Sequence, residues 1–274
     1  MPKISVVMTT YNDEKYINSS TQSILGQSFQ DFEFIIVDDH SSDRTVDEIK
    51  KIAENEKRVV LIENKQNLGF SQCLNEGISR ATGTYIARMD ADDISSPKRL
   101  EIENDFLDSH PEFSVCGSAY ACFDDDGIWA IYKKPGEVPL KRAINFTAIH
   151  HPTSMFRKAD FTASGCYSTW EKKTRCAEDY DLWLKFYQHG FRIYNLPDIL
   201  LNYRDDPSKK KDKFSDKLFF AKLMTSWRKK FHIWPSFGIF QFKILLSGLA
   251  PQWFYSFFHV KLVRKRSDEK EKQL

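Results

Sequence analysis

Residues 85–95 read YIARMDADDIS. A largely apolar run of strand length, Tyr85–Met89, stops at Asp90, Asp92 and Asp93. Three carboxylates within four positions repel one another, so a fold that places them at a strand end needs something to neutralise them. Upstream, FSQCLNEGISRA (70–81) has helical composition, and before it RVVLIEN (58–64) is a third apolar run. Further back, DRTVDEIKKIAENEK (43–57) is a charged helix with Val46, Ile49 and Ile52 on one side. EFIIVDD (33–39), NDEKYINSSTQSILGQ (12–27) and ISVVM (4–8) extend the alternation to the first residues. Downstream, SPKRLEIENDFLDSH (96–110) predicts a helix with Ser96 as N-cap and Pro97 at its first position. Strand and helix in alternation imply an α/β fold with a mostly parallel sheet covered on both faces. Ligands of such sheets bind beyond the carboxyl ends of the strands. Three of those ends carry polar clusters: Thr9–Asn12, Asp38–Asp39 and Asp90–Asp93.

After residue 112 the pattern changes. FSVCGSAYACF, the turn Asp124-Asp125-Asp126-Gly127 and IWAIYKK predict a hairpin. HPTSMF (151–156) reads as a strand, and EDYDLWLKFYQHG (178–190) as a helix closed by Gly190. The expected organisation is residues 1–110 as a nucleotide-binding half, 111–206 as a mixed acceptor-side half, and 207–274 as a basic, aromatic-rich helical appendage.

The bulk numbers agree with two jobs. The 274 residues carry a net charge of only +2. Residues 207–274 hold 16 Lys+Arg against 5 Asp+Glu, and the remaining 206 residues hold 24 against 33. An acidic body disfavours nucleic acid as a partner. Five cysteines, an odd count with no C-x-x-C pair, argue against a disulfide framework or structural zinc and fit a reducing compartment. No signal-peptide pattern opens the chain, and no window offers about 20 apolar residues.

Adjacent acids at a strand end become favourable when a divalent cation neutralises them. Mg²⁺ or Mn²⁺ commonly takes one or two carboxylates plus substrate phosphates. A solvated loop in which Asp92 or Asp93 caps the next helix is the other reading. No glycine follows the first strand where G-x-G-x-x-G belongs, which disfavours a dinucleotide dehydrogenase.

The segments ISVVMTTYN, FEFIIVDDHSSDRT, NLGFSQCLNEGISRATGTYIARMDADDISSPKRL and AEDYDLWLKF stand in this order. Together they resemble the family-2 glycosyltransferases of the GT-A fold, inverting nucleotide-sugar enzymes of bacterial surface polysaccharide synthesis, over roughly residues 3–205. The resemblance implies that Asp92 ligates a metal holding the donor diphosphate and that Asp90 contacts the ribose or the metal, with Asp93 assisting. It implies that Asp39 hydrogen-bonds the base, uracil by expectation, in a pocket lined by Thr9 and Tyr11. Asn67 and Gly69 would belong to a loop approaching the donor.

Inverting transfer needs a group to take the acceptor's proton. Asp179 shares a helix face with Leu182, Trp183 and Phe186 at i+3, i+4 and i+7, and an acid there needs a reason. Charge at a helix N-terminus suits Glu178 and Asp181. The family's Glu-Asp motif maps its base onto Asp179, with Glu178 orienting the acceptor or the metal. His151 would contact diphosphate or acceptor, or be a satisfied structural histidine. The family often has a histidine shortly after the Tyr-Arg pair. Here YRDDPSKK puts Asp206 at that place, which removes a histidine metal ligand from that loop.

The implied partners are a UDP-sugar donor and a lipid-linked or oligosaccharide acceptor. Sugar transfer to a polyprenyl phosphate on the same fold is a close alternative, and a non-catalytic nucleotide-binding module is a rival from another class. Residues 214–266 mix aromatics with Lys and Arg. They would either lie on an anionic membrane surface or pack on the core. The expected location is cytoplasmic, peripheral on the inner membrane's cytoplasmic face.

Overall fold

The computed structural model describes residues 1–145, 147–170, 177–205 and 214–247. The first half contains β1 (Ile4–Thr10), α1 (Ile17–Leu25), β2 (Phe32–Asp38), α2 (Thr45–Asn55) and β3 (Val59–Glu63). It continues with α3 (Phe70–Arg80), β4 (Tyr85–Asp90), β5 (Ile94–Ser95) and α4 (Arg99–Ser109). The second half contains β6 (Val115–Asp124), β7 (Gly127–Tyr132), β8 (Gly136–Glu137), α5 (Leu140–Ala143) and β9 (Met155–Arg157). After these come α6 (Lys158–Ala163), α7 (Glu178–Gln188), β10 (Ile193–Arg204), α8 (Phe214–Lys230) and α9 (Ile239–Ser247).

All these strands share one sheet, in the order β3-β2-β1-β4-β9-β6-β10-β5, with β7 on β6 and β8 on β10. The β3-β2-β1-β4 block is parallel, as the alternation predicts. β9 is antiparallel to both β4 and β6, and so joins the two halves. The apolar runs are continuous because both faces are covered. In β1, Ile4, Val6 and Met8 enter one core with Ile17 and Ile24 of α1, Ile49 of α2 and Leu100 of α4. Val7 faces the opposite core, with Leu74 and Ile78 of α3 and Trp183 of α7. α3 lies flat on the sheet because residue 77 is glycine. A Cβ there would meet Val7 Cγ1 at 2.7 Å.

The predicted 112–133 hairpin forms as β6 and β7, turning at Asp124-Asp125-Asp126-Gly127. HPTSMF splits into a 3₁₀ turn over His151–Thr153 and the short β9. Ser96 does not cap α4. That helix begins at Arg99 after Lys98, with no side-chain cap. The Ser96 N–H donates instead to the Leu200 carbonyl at 2.9 Å, which holds it extended beside β10. β10 itself was not expected. Pro197 interrupts its sequence, and the pairing with β6 is irregular between Asn195 and Ile199, where a proline is tolerated.

The first described helix of the expected appendage packs on the body. α8 buries Ala221, Met224 and Trp227, and the last two join the core that contains α7. Trp227 Nε1 donates to Asp181 Oδ1 at 2.8 Å. That carboxylate also accepts from Ser168 Oγ at 2.7 Å and pairs with Lys185 Nζ at 3.1 Å. Asp181 is therefore a buried brace between α7 and α8 as well as a helix N-terminal charge. Trp227→Ala is expected to cost about 3–5 kcal/mol of stability, read by urea unfolding. Trp227→Phe, which keeps an aromatic ring but loses part of the volume and the Nε1 donor, should cost less, about 1–3 kcal/mol. A loss under 1 kcal/mol for the alanine variant would mean that α8 does not belong to the cooperative unit.

Candidate active site

A cavity of about 600 Å³ opens where the carboxyl ends of β1, β2 and β4 meet. Its wall contains Thr9, Tyr11, Asp39, Asn67, Gly69, Asp90 and Asp92, which the fold brings together from four segments, and Glu178. The parallel register explains part of this: Thr9 lies beside Asp90 in the β1–β4 pair, and Thr10 beside Asp38 in the β1–β2 pair. Strand ends in register bring their following residues to one edge.

Each wall is held from below. The Asp39 carboxylate accepts the N–H groups of Leu68 at 2.6 Å and Gly69 at 2.9 Å, and its carbonyl accepts Asn67 Nδ2 at 3.2 Å. Asp39 thus organises the 67–69 loop as well as facing the cavity. Gly69 takes φ +92, open to glycine at low cost, and turns this loop into α3. The Asp90–Asp93 turn is gripped by the end of β10. The Arg204 N–H donates to Asp93 Oδ1 at 2.8 Å, and Arg204 Nε donates to the Asp92 carbonyl at 3.1 Å. β5 pairs with Leu201 and Asn202 just below.

The three clustered acids separate into distinct environments. Asp92 lines the cavity, and burial together with the charges of Asp90 and Asp13 pushes its carboxyl up to about 6. Asp90 also lines the cavity, where its carboxylate is ion-paired with Arg88 Nη1. Asp93 is fully buried outside the wall, and its Oδ2 has no hydrogen-bond partner. Burial first and the neighbouring acids second raise its carboxyl well above the usual range. Its visible role is to anchor Arg204, whereas assistance to a metal was expected.

On the far side, α7 starts at Glu178. Glu178 is in the wall, and burial with the charge of Asp179 pushes it up to about 7. Asp179 stands next to it, outside that wall. Its Oδ2 accepts Thr147 Oγ1 at 3.2 Å, its Oδ1 accepts the Tyr180 N–H at 2.7 Å, and burial raises its carboxyl. Leu182, Trp183 and Phe186 below it are almost completely buried, as the helical spacing predicts. His151 does not reach the cavity. It is buried, Nε2 lies 2.6 Å from Tyr167 Oη, and desolvation drives its pKa well below the usual value. That is the structural reading of this histidine; Phe70 and Trp183 pack their rings edge-on against it.

Arg88, Thr169 and Trp170 also line the cavity and were missed by sequence reasoning. Arg88 carried a readable signal, a cation two residues before Asp90 on one strand and hence on the same face. Trp170 carried none. It belongs to the expected acceptor-side half, 111–206, of which 171–176 lie outside the described residues, as does Asp206. Its ring packs edge-on against Phe219 of α8 at 5.1 Å.

The chemistry of this donor set can be tested against a divalent ion. Among the described residues no three His, Cys, Asp or Glu side chains form a ready cage. The two wall carboxylates, Asp90 and Asp92, are hard oxygen donors crowded enough to raise the Asp92 pKa. This fits Mg²⁺ or Mn²⁺ completed by substrate phosphates and does not fit a closed structural site.

Residues 5–165 match the family model for glycosyl transferase family 2. The chain belongs to this family. EpsE of Bacillus subtilis strain 168, itself provisionally assigned as a glycosyltransferase, is 35% identical over 270 residues, spanning 97% of this chain and 96% of its own. Among solved structures, Staphylococcus aureus TarS 1–349 in complex with UDP-GlcNAc superposes with a TM-score of 0.70 at 24% identity, covering 92% of this chain and 72% of that one. The mannosyltransferase PcManGT of Pyrobaculum calidifontis, in complex with GDP-Man and Mn²⁺, gives 0.64 at 20% identity, covering 92% and 70%. The mostly parallel sheet with helices on both faces is the fold shared with these glycosyltransferases, and family 2 membership makes the protein a glycosyltransferase.

Proposed function

We propose that this glycosyltransferase moves a sugar, with inversion, from a UDP-sugar to a lipid-linked or oligosaccharide acceptor in surface polysaccharide synthesis, using Mn²⁺ or Mg²⁺. The observation that carries the reading is the single cavity joining the Thr9/Tyr11/Asp39 wall, the Asp90/Asp92 pair and the head of α7. That is the layout a nucleoside diphosphate followed by a transferable sugar would need. TarS is described with UDP-GlcNAc and PcManGT with GDP-Man and Mn²⁺; we carry the nucleotide and the metal over as proposals.

In this reading Thr9, Tyr11 and Asp39 bind the nucleoside, and the Asn67–Gly69 loop closes over it. Asp90 and Asp92 would hold the divalent ion, which when bound supplies charge neutralisation at the diphosphate. Asp179 takes the acceptor hydroxyl proton as the new C–O bond forms at the anomeric carbon. The bond from that carbon to the diphosphate oxygen breaks, and its electron pair leaves with the nucleotide. Glu178 orients the acceptor from the cavity wall. His151 supports this wall through Tyr167 and does not touch the acceptor.

The membrane-facing part of the proposal rests on α9 and the segment leading into it. Trp234, Phe237, Ile239, Phe242 and Leu246 are exposed, with Lys229, Lys230 and Lys243 nearby in sequence. Such a mixture suits the cytoplasmic face of an anionic membrane. No described helix is long and apolar enough to cross a membrane. Residues 248–266 of the basic aromatic stretch lie outside the described residues.

Calorimetric titration of UDP with Mn²⁺ and then with EDTA tests the donor site. Removal of the metal is expected to weaken UDP about 10-fold or more. Equal affinity in both conditions would remove the metal from the proposal, and no UDP binding in either would remove the nucleotide.

A further inference from the structure

Arg88 is an unusual residue for its position. It lies on β4 in the middle of the sheet, is 4% exposed, and lines the cavity. Among the described residues of the cavity wall it is the lone cation, facing Asp13, Asp39, Asp90, Asp92 and Glu178. Burying a guanidinium is costly unless its donors are used. Here they are not all used. Nη1 is ion-paired with Asp90, while Nε is buried with no hydrogen-bond partner. The guanidinium is stacked over the Phe70 ring with 5.1 Å to the centroid. Phe70 opens α3 directly after the Gly69 turn, so the cation is fixed from the side of the donor loop.

The charge arrangement indicates what is missing. A divalent ion shared by Asp90, Asp92 and the diphosphate would balance only part of their combined negative charge. Among the described residues of the cavity wall, Arg88 is the one able to supply positive charge, and a planar guanidinium suits phosphate oxygens. It shares the cavity wall with its ion-pair partner Asp90 and with Glu178 at the head of α7. Its charge is near enough to favour the ionised carboxylates of Asp92, Asp93, Glu178 and Asp179.

We propose that Arg88 binds the donor diphosphate directly. In the ligand-free protein Asp90 occupies the guanidinium. When the donor enters, a phosphate oxygen takes over that contact and the unused Nε–H, and the leaving diphosphate keeps it as the glycosidic bond forms. The proposal rests on the nucleotide-diphosphate reading above.

The test compares UDP with uridine, which share the base and ribose but not the phosphates. Both are titrated into wild type, Arg88→Lys and Arg88→Gln, with Mn²⁺ and with EDTA, and each variant's fold is checked by thermal melting. Arg88→Lys keeps the charge where a glutamine variant could fail to fold. The expected result is a loss of UDP affinity of about tenfold for the lysine variant and about a hundredfold for glutamine, with uridine affinity unchanged. In EDTA, wild type should still prefer UDP over uridine, and Arg88→Lys should lose most of that preference. Equal weakening of UDP and uridine would overturn the proposal by making Arg88 a structural residue. Unchanged UDP affinity in a folded Arg88→Lys variant would also overturn it while leaving the nucleotide reading intact. If wild type itself binds neither ligand, the nucleotide reading fails and this proposal falls with it.

Discussion

Asp179→Asn is expected to lower kcat by about 10²–10⁴-fold while leaving UDP affinity within about twofold of wild type. The amide preserves shape: its one oxygen can still accept the Tyr180 N–H, and its NH2 can donate to the Thr147 hydroxyl oxygen in place of the bond Asp179 accepts there, so the fold should survive. What it loses is the ability to take a proton from the acceptor hydroxyl. Single-turnover assays with a UDP-sugar panel separate this effect from product release. Glu178→Gln is the necessary companion, because Glu178 and not Asp179 stands in the cavity wall. Its expected loss in kcat is smaller, with a rise in KM for the acceptor. If the glutamine variant proved the more damaged of the two, the base would be Glu178 and the roles would be exchanged.

The same pair makes a prediction about pH. Glu178 has an ordinary value of 4.5 and is pushed up to about 7 by burial and by the charge of Asp179. The folded protein therefore binds this proton more tightly than the unfolded chain does. Stability should be fully present below about pH 4.5 and should fall as pH rises through about 7. Glu178→Gln removes that slope. It should raise the melting temperature of the ligand-free protein at pH 8 relative to wild type, although it impairs turnover. A melting temperature equal to or lower than wild type at pH 8 would mean that the glutamate is not under this strain.

Asp92→Asn is expected to be the second large loss. A neutral amide is a much weaker ligand than a carboxylate for a hard divalent ion, so Mn²⁺-dependent UDP binding should weaken about tenfold or more and turnover should fall about 10²–10³-fold. Without nucleotide or metal the direction reverses. Asp92 is held up at about 6 by burial and by Asp90 and Asp13, so removing its charge relieves repulsion and should stabilise the empty protein at neutral pH. Finding metal-dependent UDP binding intact in this variant would return Asp92 to a turn role and leave Asp90 to be tested alone.

The local pattern was sufficient for much of this molecule. Doubly covered strands read as continuous apolar runs because both faces meet hydrophobic helices, and that made β1 to β4 legible without coordinates. Acids and small polar residues at the strand ends marked the cavity edge, because parallel strands in register end at one edge of the sheet. Thr9, Tyr11, Asp39, Asp90 and Asp92 in that wall were therefore accessible from order and composition, with their roles drawn from resemblance. The features that stayed hidden all depend on partners distant in the chain. β10 was obscured by Pro197, whose cost is absorbed by an irregular pairing with β6 that only the assembled sheet provides. Asp90, Asp92 and Asp93 look equivalent in sequence; packing buries Asp93 under Arg204 and leaves the other two in the wall. His151, open to either reading in sequence, is held by Tyr167 away from the cavity wall, and Asp181, read as helix N-terminal charge, also braces α8 through Trp227. Burial and pairing are properties of long-range contacts. They select, among side chains of the same chemistry, which ones brace the fold and which ones remain at the cavity.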